Sequence, residues 1–163
     1  MEVPFNTLPD TARVWIYQSN RPFNKSEQEI LSKGLSSFLK QWTAHGSALH
    51  ASFDLLYNQF IVIGLDESTA DASGCSIDSL VRNLQALAST VDIDFFNREM
   101  IAFLQHQKVQ LVERKALKEF FTSAGGSVLT FNNLVSNVKA LQTEWLVPAH
   151  TTWLKRYIAP ISV

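Results

Sequence analysis

His45, the single cysteine Cys75 and the carboxylates of Asp66 and Glu67 are the side chains in this sequence best suited to chemistry. A thiolate nucleophile needs a proton acceptor and a positive environment, and an imidazole base needs a group to orient it. Cys75 with His45 as base and Asp66 or Glu67 as orienting acid would make a small cysteine-dependent enzyme. Electrostatics argues the other way. Asp66, Glu67, Asp71 and Asp78 surround Cys75, and no Lys or Arg occurs between residues 41 and 81. Nearby carboxylates destabilise a thiolate and raise its pKa. The plainer reading makes Cys75 a small buried residue at a helix start, with Ser73 or Ser76 as N-cap and Asp78 favourable to the helix dipole.

His45, Asp66, Glu67 and Asp78 would also suit a divalent ion by ligand type. Their spacing matches neither an HExxH helix nor an EF-hand loop, so neither a metal nor another cofactor is expected. Ser76 and Asp78 stay candidates for ligand binding at the same end. Trp145 and Trp153 are candidates near the C-terminus, because tryptophans anchor partners at interfaces. The competing role for them is to pin a terminal segment against the core. Nucleotide chemistry is tested by the glycines, which stand at 34, 46, 64, 74, 125 and 126. No pair has the spacing of a P-loop followed by lysine, so its phosphate cradle is missing.

These residues need elements to position them. Pro4 and Pro9 predict an extended arm over residues 1–11. The β-branched and aromatic run ARVWIYQ predicts a strand over 12–18. Ser26 with Glu29 has the capping-box pattern for a helix running to about residue 43, closed by His45-Gly46 with glycine as a left-handed cap. Gly34 inside that helix costs about 1 kcal/mol relative to alanine unless something packs closely on it. Alternation from Leu49 to Tyr57 predicts a half-exposed edge strand, with a hairpin turn at Asn58-Gln59. The continuously apolar FIVIGL, residues 60–65, reads as a central strand buried on both faces. Helical spacing returns from Ile77 to Val91, then strands near 99–105 and 108–112, a helix over 114–124 and a strand at 128–131.

Strand–helix–strand–strand–helix–strand over residues 12–105 is the order of a split βαβ, ferredoxin-like α+β core. Residues 106–163 then form a C-terminal α/β extension of the same single domain. In that topology the loop bearing His45 lies near the segment from Asp66 to Asp78. The extension is expected to cover the sheet face that two helices leave open. If it does not, Trp15 or Tyr17 would lie on an apolar face suited to a homodimer.

Composition sets the outer limits. The chain has 163 residues, 46% of them hydrophobic, only 18% charged, with a net charge of −1. A chain of this size buries about 70% of its unfolded surface and needs no disulfide or metal staple. The near-neutral balance argues against a nucleic-acid binder. No apolar run is long enough for a transmembrane helix, and the opening MEVPFNTLPD lacks a signal pattern. With one cysteine, a reducing cytoplasm is expected.

The segments VPFNTLPDTARVWIYQSNR, Trp42-Thr-Ala-His45-Gly46, FIVIGLDES, ASGCSIDS, FNNLV and Trp145-Leu-Val-Pro148-Ala149 resemble a small family of uncharacterised bacterial proteins. The resemblance runs over nearly the whole chain. Its members are often labelled "ABC transporter ATPase". The Walker A lysine and signature that such an ATPase needs are missing, and Leu31-Ser-Lys-Gly34 only imitates the signature. The resemblance implies no catalytic residues. The expected function is a non-catalytic α+β domain that binds a protein partner or small-molecule ligand.

Overall fold

The computed structural model describes residues 1–160 of the chain. The last three residues of the expected extension lie outside the described residues. An N-terminal arm with a 3-10 turn at Phe5–Thr7 leads into β1 (Arg13–Gln18) and α1 (Lys25–Leu39). A short hairpin, β2 (Thr43–Ala44) and β3 (Ser47–Ala48), precedes β4 (His50–Leu56) and β5 (Phe60–Asp66). Then come α2 (Gly74–Val91), β6 (Met100–Gln105), β7 (Lys108–Glu113) and α3 (Leu117–Ala124). The chain continues through β8 (Leu129–Phe131), α4 (Val138–Glu144) and β9 (Leu146–Pro148) to 3-10 turns at Ala149–Thr151 and Trp153–Tyr157. The architecture is mixed α and β, with antiparallel sheets throughout.

The first sheet has the order β1-β5-β4, with FIVIGL at its centre as the apolar run requires. These three strands stand where a split βαβ would put them. The strand expected as the fourth does not join them. β6 pairs instead with β7 and β8, in a second sheet ordered β7-β6-β8-β9. The physical reason is that the outer edge of β1 is already taken. Val14 N donates to Ser136 O at 3.0 Å and Val138 N donates to Ala12 O at 3.0 Å, so the run into α4 occupies the N-terminal end of that edge. The Gln18 side chain reaches β6, donating from Nε2 to Met100 O at 3.0 Å. The boundary expected at residue 105 therefore falls inside the second sheet.

Helix caps and turns differ from expectation by a few residues. The capping box that opens α1 is Asn24 with Glu27, not Ser26 with Glu29, and the helix stops at Leu39. His45-Gly46 is the turn of the β2–β3 hairpin, not a helix cap. Its φ angles of 50° and 79° are both positive, as a two-residue type I′ turn needs. The β4–β5 turn sits at Tyr57-Asn58 with φ of 54° and 52°, one residue earlier than expected. Gln59 is buried instead, donating from Nε2 to the Ser19 carbonyl at 2.7 Å.

Three apolar clusters hold these pieces. One lies under the helices, where Leu31, Leu35 and Leu39 of α1 and Leu80 and Leu84 of α2 cover Ile61, Ile63 and Leu65 of β5. Gly34 has its explanation there, since a Cβ at that position would overlap Leu87 of α2. The second joins Val14, Phe60 and Val62 of the first sheet to Ala102, Phe131, Val138, Leu141 and Trp145. The extension thus covers the face the helices leave open, while Trp15 and Tyr17 pack, partly buried, in the cluster under the helices. Gly64 lets Leu8 of the arm pack directly on β5. The third cluster sets Leu117 and Phe121 of α3 with Leu154 against Phe103 and Val112 of the second sheet. Among the described residues, no helix is long and apolar enough to cross a membrane.

Candidate functional site

The end expected to hold the site is partly assembled. The indole of Trp42, just before the β2–β3 hairpin, donates to Ser76 O in α2 at 2.8 Å, so the hairpin bearing His45 lies at the start of that helix. The geometry beyond that point departs from a catalytic arrangement. Asp66 Oδ1 accepts from Ser68 N at 3.0 Å, and Glu67 Oε2 accepts from Ala72 N at 3.0 Å. The Asp66 carboxyl is held below its usual range by those Ser68 hydrogen bonds, and His50, opposite it in the β4–β5 register, adds to the effect. The imidazole that faces Asp66 is therefore His50, not His45. Glu67 also faces Arg13 at 4.0 Å. His45 and Cys75 are both exposed and share no hydrogen bond among the described residues, so the buried thiol of the plainer reading is corrected.

Ser76 is not free for a ligand. Ser73 is the N-cap of α2, and Ser76 closes the capping box, with reciprocal bonds of 3.1 and 2.8 Å between the two. Asp78 is exposed on the same helix. Among the described residues, no group of three or more His, Cys, Asp or Glu side chains is placed to hold a metal ion.

The two tryptophan candidates separate. Trp145 is buried, its ring centroid 5.0 Å from that of Phe60 and 4.9 Å from that of Phe131. Its indole donates to Asn133 Oδ1 at 2.9 Å. It is a core residue, and its candidacy for ligand binding is withdrawn. Trp153 is 42% exposed and lines a cleft of about 860 Å³ between β1 and the second sheet.

Gln18, Asn133 and Met100 form the polar floor of that cleft. Asn133 Nδ2 donates to Gln18 Oε1 at 3.1 Å, and the bond from Gln18 to Met100 O completes the chain. Ile16, Ile101, Phe131 and Val147 supply apolar wall. The rim carries Arg98, Arg114, Trp153 and Leu134, the last 87% exposed. The Arg114 guanidinium lies 5.0 Å from the centre of the Trp153 ring, and Arg156 lies 5.7 Å from it. Arg114 Nη2 donates to the backbone carbonyl of Arg98 at 3.3 Å. Its nearest carboxylate, Glu99, stands at 3.8 Å with a side chain 75% exposed.

Sequence reasoning found Trp153 but missed Arg98, Arg114, Asn133 and Leu134. Their convergence depends on β6 joining β8 rather than β1. The visible signal was the basic bias of the extension, where Lys108, Arg114, Lys115 and Lys118 gather. Comparison of the chain with protein-family models, curated proteins and solved structures found no match in any of the three.

Proposed function

We propose that the chain is a non-catalytic α+β domain that binds a protein partner or small ligand, with the cleft between β1 and the second sheet as its binding site. The observation that carries this reading is the pairing of Arg114 with an exposed Trp153 on the rim of a roughly 860 Å³ cleft. Ligand sites commonly span about 300–1,000 Å³ and combine apolar walls with a few placed polar groups. Tryptophan and arginine are also the residues that most often dominate binding energy at interfaces. The setting assumed is a reducing cytoplasm, with no nucleic-acid or membrane partner. The ATPase label of the proteins it resembles is not part of this reading, because no glycine pair has P-loop spacing.

A titration with anilinonaphthalene sulfonate, an aromatic anion, tests the site. Saturable fluorescence enhancement that is lost in Trp153→Ala supports it. Enhancement unchanged by that substitution places the probe elsewhere and removes the reading.

A second reading, the cysteine-dependent enzyme, is favoured by the exposure of Cys75 at the first turn of α2. It is weaker because Asp66 and Glu67 are engaged by Ser68, Ala72 and Arg13. Alkylation of Cys75 at neutral pH no faster than that of an ordinary free thiol would end it.

A further inference from the structure

The charges around the cleft say what kind of partner fits it. Arg98 is exposed and makes no side-chain hydrogen bond or ion pair among the described residues. Among the described residues Arg156 makes no side-chain hydrogen bond or ion pair, and it lies over Trp153 and, at 5.8 Å, over Tyr157. Arg114 faces Glu99, but that carboxylate is mostly in water, where a pair contributes only about 0–1 kcal/mol and is readily exchanged. Trp153 helps to place the Arg114 guanidinium, whose Nη2 also donates to Arg98 O and whose Nε faces Glu99, leaving Nη1 without a partner among the described residues. The rim thus presents two arginines, Arg98 and Arg114, against the single lining carboxylate of Glu144, beside apolar surface. Leu134 is 87% exposed and Trp153 42%.

Resting on the reading of the cleft as the binding site, we infer that its occupant is an acidic protein segment carrying an apolar anchor. Carboxylates of the segment meet Arg98 and Arg114, and its anchor packs among Leu134, Trp153 and Ile101. Complementary charge of this kind speeds encounter and sets register, and the apolar contact holds the complex. A single-stranded nucleic acid would also be anionic, but it needs free aromatic faces for its bases. The face of Trp153 is already occupied by Arg114. The apolar wall of Ile16, Ile101 and Val147 suits a side chain better than a base.

The test uses fluorescence anisotropy with labelled peptides of about twelve residues that share a central Phe-Leu pair flanked by glutamates or, in the control, by glutamines. The glutamate peptide should bind at least about tenfold more tightly than the control, and its affinity should fall as salt is raised. Arg98→Glu should erase that preference with an unchanged melting temperature, because Arg98 makes no bond that folding needs. Arg114→Gln, checked the same way, should weaken binding as well. Equal binding of the two peptides, or preferential binding of labelled oligothymidylate, overturns the inference. If anilinonaphthalene sulfonate binds in a Trp153-dependent way while the acidic peptide does not, the cleft stands and this partner class falls. If neither binds, both fall.

Discussion

The start of α2 and the cleft beside β1 both gather charged side chains, yet they dispose of that charge in opposite ways. At the start of α2 the carboxylates turn onto the backbone: Asp66 takes Ser68 N, Glu67 takes Ala72 N, and Ser73 and Ser76 cap each other. Beside the cleft, Arg114 and Arg156 lie on Trp153, Arg114 also reaches Arg98 O and faces the exposed Glu99, and the Arg98 side chain has no partner among the described residues. A charge taken up by the local fold holds a loop or a helix end. One placed by an aromatic face and a solvent-exposed carboxylate stays open to a ligand. The residue types alone made the first region look like the site, and the bonding partners point to the second.

The same contrast divides the two tryptophans, and the largest expected effect lies there. Trp145→Ala should destabilise the protein by about 3–5 kcal/mol in denaturant unfolding, as for other buried aromatics. Trp153→Ala should cost only about 1 kcal/mol, the scale of its exposed arginine contacts. Equal losses would break the distinction between core and rim. Next comes Ser73→Ala, which removes the side-chain cap of α2 and should cost about 1 kcal/mol by the same measurement. Little or no loss would show that the start of α2 is not held as described.

Glu27 sharpens the comparison through pH. Its carboxylate takes Arg21 at 2.6 and 2.9 Å and closes the capping box with Asn24, and Arg21 also reaches Val91 O and Asp92 O. The Arg21 bonds, then the bond to Asn24, pull the Glu27 carboxyl from 4.5 to about 2. A carboxyl lowered by folding stabilises the native state above its unfolded value and loses that contribution as pH falls through the folded one. Stability should therefore decline between about pH 4.5 and 2, and Glu27→Gln should flatten that slope. An unchanged slope would mean that the clamp between the start of α1 and the end of α2 contributes nothing. The smallest effect is expected at Cys75. Cys75→Ser should shift stability by no more than about 0.5 kcal/mol and leave anilinonaphthalene sulfonate binding intact. Loss of binding in that variant would return the site to the start of α2.

Much of this fold was legible because the signals were local. The burial of FIVIGL, the helix from Gly74 to Val91 and the β6–β7 pair follow from runs and spacing within a few residues. The end of α1 was misplaced because a glycine after a helix can cap it or turn a hairpin, and only pairing of Thr43 with Ala48 decides. The partner of β6 was hidden for a different reason. Ala102 and Phe103 are buried on opposite faces, so the strand suits either sheet by its pattern alone. What excludes it from the first is the backbone of Ser136 and Val138 on the edge of β1, a long-range pairing with little trace in side-chain type. The cleft inherits that uncertainty, since Arg98, Arg114 and Trp153 meet only once the second sheet is assembled.

The most direct test reads the two regions in one spectrum. The protein has four tryptophans, each with an indole N–H resonance in a heteronuclear NMR spectrum, and Trp153→Ala assigns the one on the rim. Trp42, bonded to Ser76 O at the start of α2, serves as the internal control. On titration with anilinonaphthalene sulfonate, the Trp153 resonance should move saturably while that of Trp42 stays fixed. Movement of Trp42 with Trp153 unchanged would contradict the assignment of the cleft as the binding site.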